Sequence, residues 1–174
     1  MRKRLTILFA VTAALLAIAA GSAYALGVSG TITGTAGIGL DPGTNPTFTD
    51  TLDGTDQTVT YKPALGVSDA RGTGNGWHLT ETASNLSDGA GHTLTQQISA
   101  VTQACHTGST CTLPTSNVNL PVAMGSTGTS FYSSATNYGL GKVDITPTVS
   151  VAIPGNAYAG SYSSTVTFAA VAGP

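Results

Sequence analysis

Apolar residues recur at every second position over long stretches of this chain, and that spacing limits the fold more than any other feature. The clearest runs are residues 142–153 and 161–171, where one face of an extended chain is apolar. β-Branched residues concentrate in the same runs, as a half-buried pleated sheet prefers. Apolar residues at helical spacing are almost absent. The pattern therefore predicts an all-β fold.

Shorter alternating runs and turn clusters set the expected architecture. The runs are residues 28–38, 58–61, 65–68 and 77–82, and groups of Gly, Pro, Asn and Asp separate them. An immunoglobulin-like β-sandwich of roughly seven to nine antiparallel strands accounts for this order most simply. Residues 92–105 fit either a strand or a short helix.

The first 25 residues have the pattern of a cleaved signal peptide. Basic residues at positions 2–4 precede an uncharged apolar stretch of 16 residues, positions 5–20. Ala23-Tyr24-Ala25 then gives the small-residue exit that signal peptidase accepts. The apolar stretch is shorter than the roughly 20 residues that cross a bilayer. We therefore predict export to the extracellular side, with residues 26–174 as one domain.

Mature protein from the native host is expected to begin at Leu26, because cleavage should follow Ala25. N-terminal sequencing or the intact mass of the secreted protein checks this prediction. Recovery of membrane-bound chains that still begin at Met1 would contradict the export argument.

The charge of the chain without its leader excludes two classes of partner. Three basic residues, Lys62, Arg71 and Lys142, remain against eight acidic residues, so the formal net charge is −5. Binding to nucleic acid or to anionic lipid needs a basic surface that displaces counterions. Neither nucleic acid nor a membrane is therefore an expected partner after cleavage.

Cys105 and Cys111 are the two cysteines of the chain. In an exported protein they are expected to form a disulfide. A redox or metal site would need a Cys-x-x-Cys motif or further ligands, whereas His106 alone lies next to them. The pair is therefore predicted to be structural.

The residues that could carry catalysis are few and scattered. His78, His92 and His106 have no serine or cysteine motif beside them, and no Gly-x-Ser-x-Gly turn is present. Glu81 is the sole glutamate, so a paired-carboxylate glycosidase would need an aspartate beside it. The sequence predicts no catalytic residues and no enzyme activity.

Metal and cofactor sites are not expected either. Asp50, Asp53 and Asp56 lie close together, but their spacing differs from that of an EF-hand loop, in which ligands alternate and a glutamate closes. A solvated turn is the preferred interpretation of these aspartates.

The most informative local pattern runs from Asp69 to Leu79 as Asp-Ala-Arg-Gly-Thr-Gly-Asn-Gly-Trp-His-Leu. Its alternate glycines permit backbone angles that other residues resist. The string resembles the first motif of the WxL domain, a cell-surface domain of Gram-positive bacteria. The motif residues that the resemblance carries over are Asp69, Arg71, Gly72, Gly74, Gly76, Trp77 and Leu79.

Residues 158–174 are similar to the second motif of the same family. Tyr162 matches its tyrosine and Pro174 its closing proline, while Phe168 stands where a second tryptophan is expected and Ala170 where a leucine follows. The resemblance implies non-covalent attachment at the cell surface, through contact with peptidoglycan or another wall polymer.

Two interpretations of Trp77 are open from the sequence. An exposed ring after a glycine loop could stack on a sugar, whereas a buried ring would be part of the core. Trp77 and Leu79 are two residues apart and point the same way in a strand, which favours burial. Asp69 and Arg71 are expected to pair with each other. Tyr162, Val166 and Phe168 are expected to share one face of the last strand.

Two functions are consistent with these features. The first is a secreted, non-catalytic domain that attaches to the cell wall by binding. The alternative is a structural or adhesive subunit that assembles with itself or with larger surface proteins through exposed strand edges.

Overall fold

The computed structural model describes residues 29–34 and 37–174. In this part of the chain there are eleven strands and no helix. In chain order the strands are β1 (Gly39–Pro42), β2 (Gln57–Tyr61), β3 (Leu65–Asp69), β4 (Trp77–Ala83), β5 (Leu86–Ser87), β6 (Thr93–Leu94), β7 (Gln96–Cys105), β8 (Val122–Ala123), β9 (Thr129–Ser134), β10 (Gly141–Ile153) and β11 (Val166–Ala172).

Two antiparallel sheets organise these strands. The larger sheet has the order β1-β3-β10-β7-β8, and β2 also pairs with β10. The smaller sheet has the order β11-β4-β9, and β5 pairs with β6 in a separate two-stranded ladder. β10 is the longest strand, with 13 residues. It pairs with β3 and β2 along one edge and with β7 along the other, so it is the central strand of the larger sheet.

The inward faces of the two sheets share a hydrophobic core. Every second residue of β10 is buried, as the alternation of its sequence predicts. The main cluster has the buried residues Leu65, Val67, Trp77, Leu79, Ala83, Ile98, Met124, Phe131, Tyr132, Val143, Ile145 and Val149. A second cluster contains Leu86, Leu94, Val151 and Ile153. The two ends of β10 therefore pack in different core clusters.

The prediction of an all-β, antiparallel, sandwich-like fold is confirmed. Eight strands have four or more residues, within the expected seven to nine, and the remaining three have two residues each. Residues 92–105 contain β6 and all of β7, so the helical alternative for this segment is wrong. The unit Thr33–Pro174 contains every strand. The predicted signal peptide, residues 1–25, lies outside the described residues.

Two strands are shorter than the alternation predicted. The described part of residues 28–38 contains no strand, and β1 begins only at Gly39. Residues 161–165 also precede β11. Ser163 makes an isolated bridge with Ser87, and the Ser164 hydroxyl donates to the Ser84 carbonyl (2.7 Å). This stretch is therefore bonded to residues 84–87 without a continuous ladder.

Cys105 and Cys111 form the predicted disulfide. It closes a short loop after β7. Further hydrogen bonds hold the same loop: His106 N–H donates to the Lys142 carbonyl (3.0 Å), and Lys142 N–H donates to the Ser109 hydroxyl (3.1 Å). The loop is thus fixed to β10 by bonds other than the disulfide.

Replacing both cysteines with serine should lower the free energy of unfolding by about 2 kcal/mol, because a ring this short restricts the unfolded chain only modestly. Unfolding in denaturant, followed by circular dichroism, should remain a single cooperative transition. A double variant without an ordered β spectrum would show that the disulfide is essential to folding.

Candidate functional site

The Asp69 to Trp77 segment is a loop that joins β3 to β4. Gly72, Gly74 and Gly76 all have positive φ, at 71°, 65° and 71°. Gly76 also packs so closely on the backbone of β9 that a Cβ would collide with the Ser134 carbonyl. The alternate glycines recognised in the sequence are therefore required by the path of this loop.

Asp69 and Arg71 pair as predicted and close the loop. The Asp69 side chain is fully buried and that of Arg71 is 11% exposed. Arg71 Nε and Nη2 each donate to a different Asp69 carboxylate oxygen, both at 2.9 Å. Nη2 also donates to the Gly76 carbonyl (2.6 Å). The guanidinium thus connects the start of the loop to its end, and its hydrogen bonds hold the pKa of Asp69 below the ordinary value.

Trp77 belongs to the core, which confirms the preferred interpretation of its ring. The residue is 0% exposed and its ring lies 6.1 Å from that of Tyr132. Its Nε1–H donates to the Gly139 carbonyl (3.0 Å). Gly139 has φ 71°, and a Cβ there would lie 2.5 Å from Trp77 Nε1. The tryptophan therefore anchors a second loop, residues 135–140.

This second loop exposes an aromatic ring that sequence reasoning did not select. Residues 135–138 are exposed, with Tyr138 at 43%. Asn137 N–H donates to the Gly74 carbonyl (2.7 Å), and Gly139 N–H donates to the Thr112 carbonyl (2.8 Å). The loop is thus bonded to the glycine loop on one side and to the disulfide loop on the other.

Three loops therefore meet at one end of the domain: residues 70–76, 106–112 and 135–140. We call their exposed residues the three-loop surface. Its exposed side chains on the first and third loops are uncharged, and they are Ala70, Thr73, Asn75, Ala135, Thr136, Asn137 and Tyr138. Amides and hydroxyls donate and accept hydrogen bonds, and an exposed tyrosine ring packs against apolar faces. Such a surface suits a neutral, hydroxyl-rich ligand.

The second motif lies directly beside the first. β11 pairs with β4 so that Ala170 opposes Leu79 and Ala172 opposes Trp77. Gly173 N–H donates to the Gly76 carbonyl (3.2 Å). His78 Nδ1 lies 2.8 Å from the Gly173 carbonyl, to which it donates. The fold thus brings together two segments that are about 90 residues apart in the sequence.

The second-motif residues occupy different environments. Phe168 is half-buried and packs edge-on against Phe131, with ring centroids 5.6 Å apart. Pro174 is exposed just after Gly173. Tyr162 precedes β11 and packs against the second core cluster, so the prediction that it shares a face of the last strand with Val166 and Phe168 is wrong. The serine-rich stretch before Val166 separates it from that strand.

The histidines that could have served catalysis lie apart. His92 pairs with Asp88 and stacks on Tyr158, with ring centroids 3.8 Å apart. His106 Nδ1 lies 2.8 Å from an Asp144 carboxylate oxygen. His78 bonds to the Gly173 carbonyl, so each of the three imidazoles has a different hydrogen-bond partner.

Glu81 is buried within the smaller sheet. It follows Leu79 on the inward face of β4, is 0% exposed, and neither carboxylate oxygen has a hydrogen-bond partner among the described residues. Burial raises the pKa of Glu81, and the nearby backbone N–H of Gly125 offsets this only partly. A carboxylate so enclosed cannot reach a substrate from solvent, so its effect is on stability.

Replacing Glu81 with leucine should raise the free energy of unfolding near pH 7 by about 1–3 kcal/mol, because a buried carboxyl without a partner is removed. The native carboxyl has a higher pKa folded than unfolded. The favourable contribution of this carboxyl to the free energy of unfolding is therefore complete below its unfolded pKa of about 4.3. It is lost as the pH rises through the folded pKa.

Urea unfolding across that pH range measures the difference in the free energy of unfolding between Glu81→Leu and native protein. This difference should grow with pH, in favour of Glu81→Leu. Glu81→Gln is the matched control, since it removes the charge and keeps a polar group. A leucine variant that is less stable than native protein at every pH would show that the carboxyl has a stabilising partner.

The aspartates at positions 50, 53 and 56 accept hydrogen bonds, Asp50 and Asp53 from neighbouring residues and Asp56 from a distant loop. Asp53 accepts from the backbone N–H (2.8 Å) and hydroxyl (2.7 Å) of Thr55, and Asp56 accepts from the N–H of Gly155 (2.8 Å). Across residues 29–34 and 37–174, no three potential metal ligands are grouped as a metal site would require.

No helix in the described part of the chain has the length and hydrophobicity needed to cross a bilayer. No protein-family model, curated protein or solved structure matches the chain.

Proposed function

We propose that this protein is an exported, non-catalytic surface domain that binds the peptidoglycan cell wall through the three-loop surface. The observation that carries the proposal is the link between Trp77 and Tyr138. The buried indole holds the Gly139 carbonyl, and the loop held in this way exposes the Tyr138 ring next to the glycine loop. The resemblance of both motifs to the WxL domain supports the same function.

The motif residues and the ligand contacts have different roles in this proposal. Asp69, Arg71 and Trp77 are buried or nearly so, and they fix the loops. Asn75 and Tyr138 are exposed and can contact a glycan, whose hydroxyl and acetamido groups match amide hydrogen bonding and whose sugar faces match an aromatic ring. Because these contacts are uncharged, binding should depend only weakly on salt.

The test compares Tyr138→Ala with the native protein in co-sedimentation with purified sacculi. Loss of an exposed aromatic contact of this kind should weaken binding roughly tenfold, or about 1.4 kcal/mol. The thermal unfolding midpoint should not change, because Tyr138 lies at the tip of a loop. Tyr158→Ala is the matched control, since Tyr158 is 63% exposed and lies outside the three loops. It should bind as native protein does.

Equal binding by native protein, Tyr138→Ala and Tyr158→Ala would remove the three-loop surface as the binding site. Failure of the native protein to sediment with sacculi would remove wall binding altogether.

The second candidate function is assembly with other copies or with larger surface proteins. One observation favours it, namely that the outer edge of β11 has no partner strand among the described residues. Exposed strand edges are common sites of strand addition.

A further inference from the structure

β11 is an edge strand without the usual protection against pairing. Only β4 pairs with it in the smaller sheet. Its seven residues, Val-Thr-Phe-Ala-Ala-Val-Ala, contain no charge, proline or glycine. Natural proteins generally block an edge with such residues, with a bulge or with a covering segment. A neutral, strand-forming segment of this length is a template for another strand.

The edges of β1, β8 and β9 in the described part of the chain are interrupted or covered. β1 carries Asp41 and Pro42, and β8 has two residues. The edge of β9 is covered by a neighbouring segment: Ser133 N–H donates to the Ser116 hydroxyl (3.2 Å), and the Ser133 hydroxyl donates to Asn117 Oδ1 (2.8 Å). β2 also pairs on one side only, with β10, but it has five residues, so β11 with seven residues is the longer of the two unblocked edges.

A cleft of about 470 Å³ lies between β11 and β1, the edge strand of the larger sheet. No backbone hydrogen bond joins these two strands within residues 37–174. The apolar side chains that line the cleft are half-buried, and they are Ile38, Leu40, Val166, Phe168 and Ala170.

The opposite side of the domain is closed by the segment after β8. Met124 N–H donates to the Gln96 carbonyl of β7 (3.1 Å), and Ala83 N–H of β4 donates to the Gly125 carbonyl (2.7 Å). This segment connects the two sheets. Along the cleft, the described chain supplies no equivalent connection.

Residues 29–34 have the properties of a strand that could occupy this edge. Their sequence, Ser-Gly-Thr-Ile-Thr-Gly, centres on three β-branched residues. All six are exposed, with Ile32 at 100%. Burying a fully exposed isoleucine side chain is favourable, because apolar surface is removed from water.

We propose that residues 29–34 of one copy add as a strand to the free edge of β11 in a second copy, with Ile32 entering the apolar cleft beside Phe168. Only residues 35–38 separate this segment from β1, so it can reach β11 of its own copy only by reversing direction within them. A second copy requires no reversal. Each copy has one donor segment and one acceptor edge, so repeated addition gives a head-to-tail chain of molecules.

This inference rests on the second candidate function, assembly, and is independent of wall binding. The first experiment measures the molar mass of the secreted protein over a range of concentrations, by size-exclusion chromatography with light scattering. Native protein should associate as its concentration rises. Ile32→Lys should remain monomeric with unchanged thermal unfolding, because Ile32 is fully exposed in the single copy.

Thr31→Lys is the matched control. It adds the same charge one residue away, where the side chain of an added strand points to the opposite face. This variant should associate as native protein does. Unchanged association of Ile32→Lys would assign assembly to another surface and overturn the proposal.

The second experiment supplies the donor strand separately. A synthetic peptide of residues 26–36 should bind the Ile32→Lys protein with one peptide per chain, since this variant has a free acceptor edge and a defective donor. The same peptide with lysine at position 32 should not bind.

Two results would overturn the proposal. One is a native protein that stays monomeric and an Ile32→Lys protein that does not bind the peptide. The other is peptide binding to Ile32→Lys together with a monomeric native protein, because the segment then occupies the edge of its own copy. Neither result concerns sacculi, so failure here is distinct from failure of wall binding.

Discussion

Replacing Trp77 with alanine is expected to lower the free energy of unfolding by about 3–5 kcal/mol, because a fully buried indole is removed from the main core cluster. The substitution also leaves the Gly139 carbonyl without its donor and frees the loop that carries Tyr138. Wall retention should therefore fall because the domain unfolds. Denaturant unfolding and sacculus co-sedimentation at the same temperature separate the two effects.

Trp77→Phe is the matched control for this prediction. It keeps an aromatic ring in the core and removes the Nε1–H donor, so its loss of stability should be about 1–3 kcal/mol. Trp77→Ala protein with native thermal unfolding and no wall binding would contradict the core role of Trp77. The loss of binding would then come from the indole itself or from the freed Tyr138 loop, which Tyr138→Ala distinguishes.

Replacing Arg71 with alanine is expected to lower the free energy of unfolding by about 3 kcal/mol near pH 7, since the buried Asp69 carboxylate then has no charged partner. The loop also loses the bond from Nη2 to the Gly76 carbonyl. Arg71→Lys should recover only part of the stability, because an ammonium cannot donate to both carboxylate oxygens in the geometry of the guanidinium.

The dependence on pH gives an independent check. The Arg71 hydrogen bonds hold the pKa of Asp69 below its unfolded value of about 3.9. The stability that this group contributes is therefore complete above that value and is lost as the pH falls through the lower folded value. The difference between native and Arg71→Ala protein should shrink under acid conditions.

A double variant, Asp69→Ala with Arg71→Ala, should be more stable than Arg71→Ala alone, because no carboxylate is left buried without a partner. If Arg71→Ala unfolds like native protein and loses only wall binding, the guanidinium contacts the ligand and does not stabilise the loop.

The strands were predictable where one side of the chain had to be buried. In β10 and β4 the alternation is regular. Every inward position except Glu81 holds an apolar side chain, and one of these is the proline Pro147. The limits of strands were less predictable. Serine-rich residues 161–165 alternate as well as β11 does, yet they bond to Ser84 and Ser87 through an isolated bridge and the Ser164 hydroxyl, without a continuous ladder. Sequence pattern does not distinguish these two outcomes.

For the candidate site, only the residues that hold the loops in place were predictable from the sequence. The glycine loop, the Asp69 and Arg71 pair and the burial of Trp77 follow from local spacing and side-chain chemistry. The Tyr138 loop does not, because its bond to Trp77 joins residues 62 apart in the sequence and depends on the pairing of β4 with β9. The lack of a partner for Glu81 likewise depends on packing from distant segments.

The central position of β10 determines the order in which the domain can form. The strands that flank it end at Tyr61, Asp69 and Cys105, but they cannot join in the larger sheet until residues 141–153 are present. Sheets built from such distant pairings fold slowly, on the order of milliseconds to seconds. Synthesis therefore delivers most of the chain before the larger sheet can exist. This delay would favour the proposed export, because an unfolded chain can pass through a narrow translocation pore.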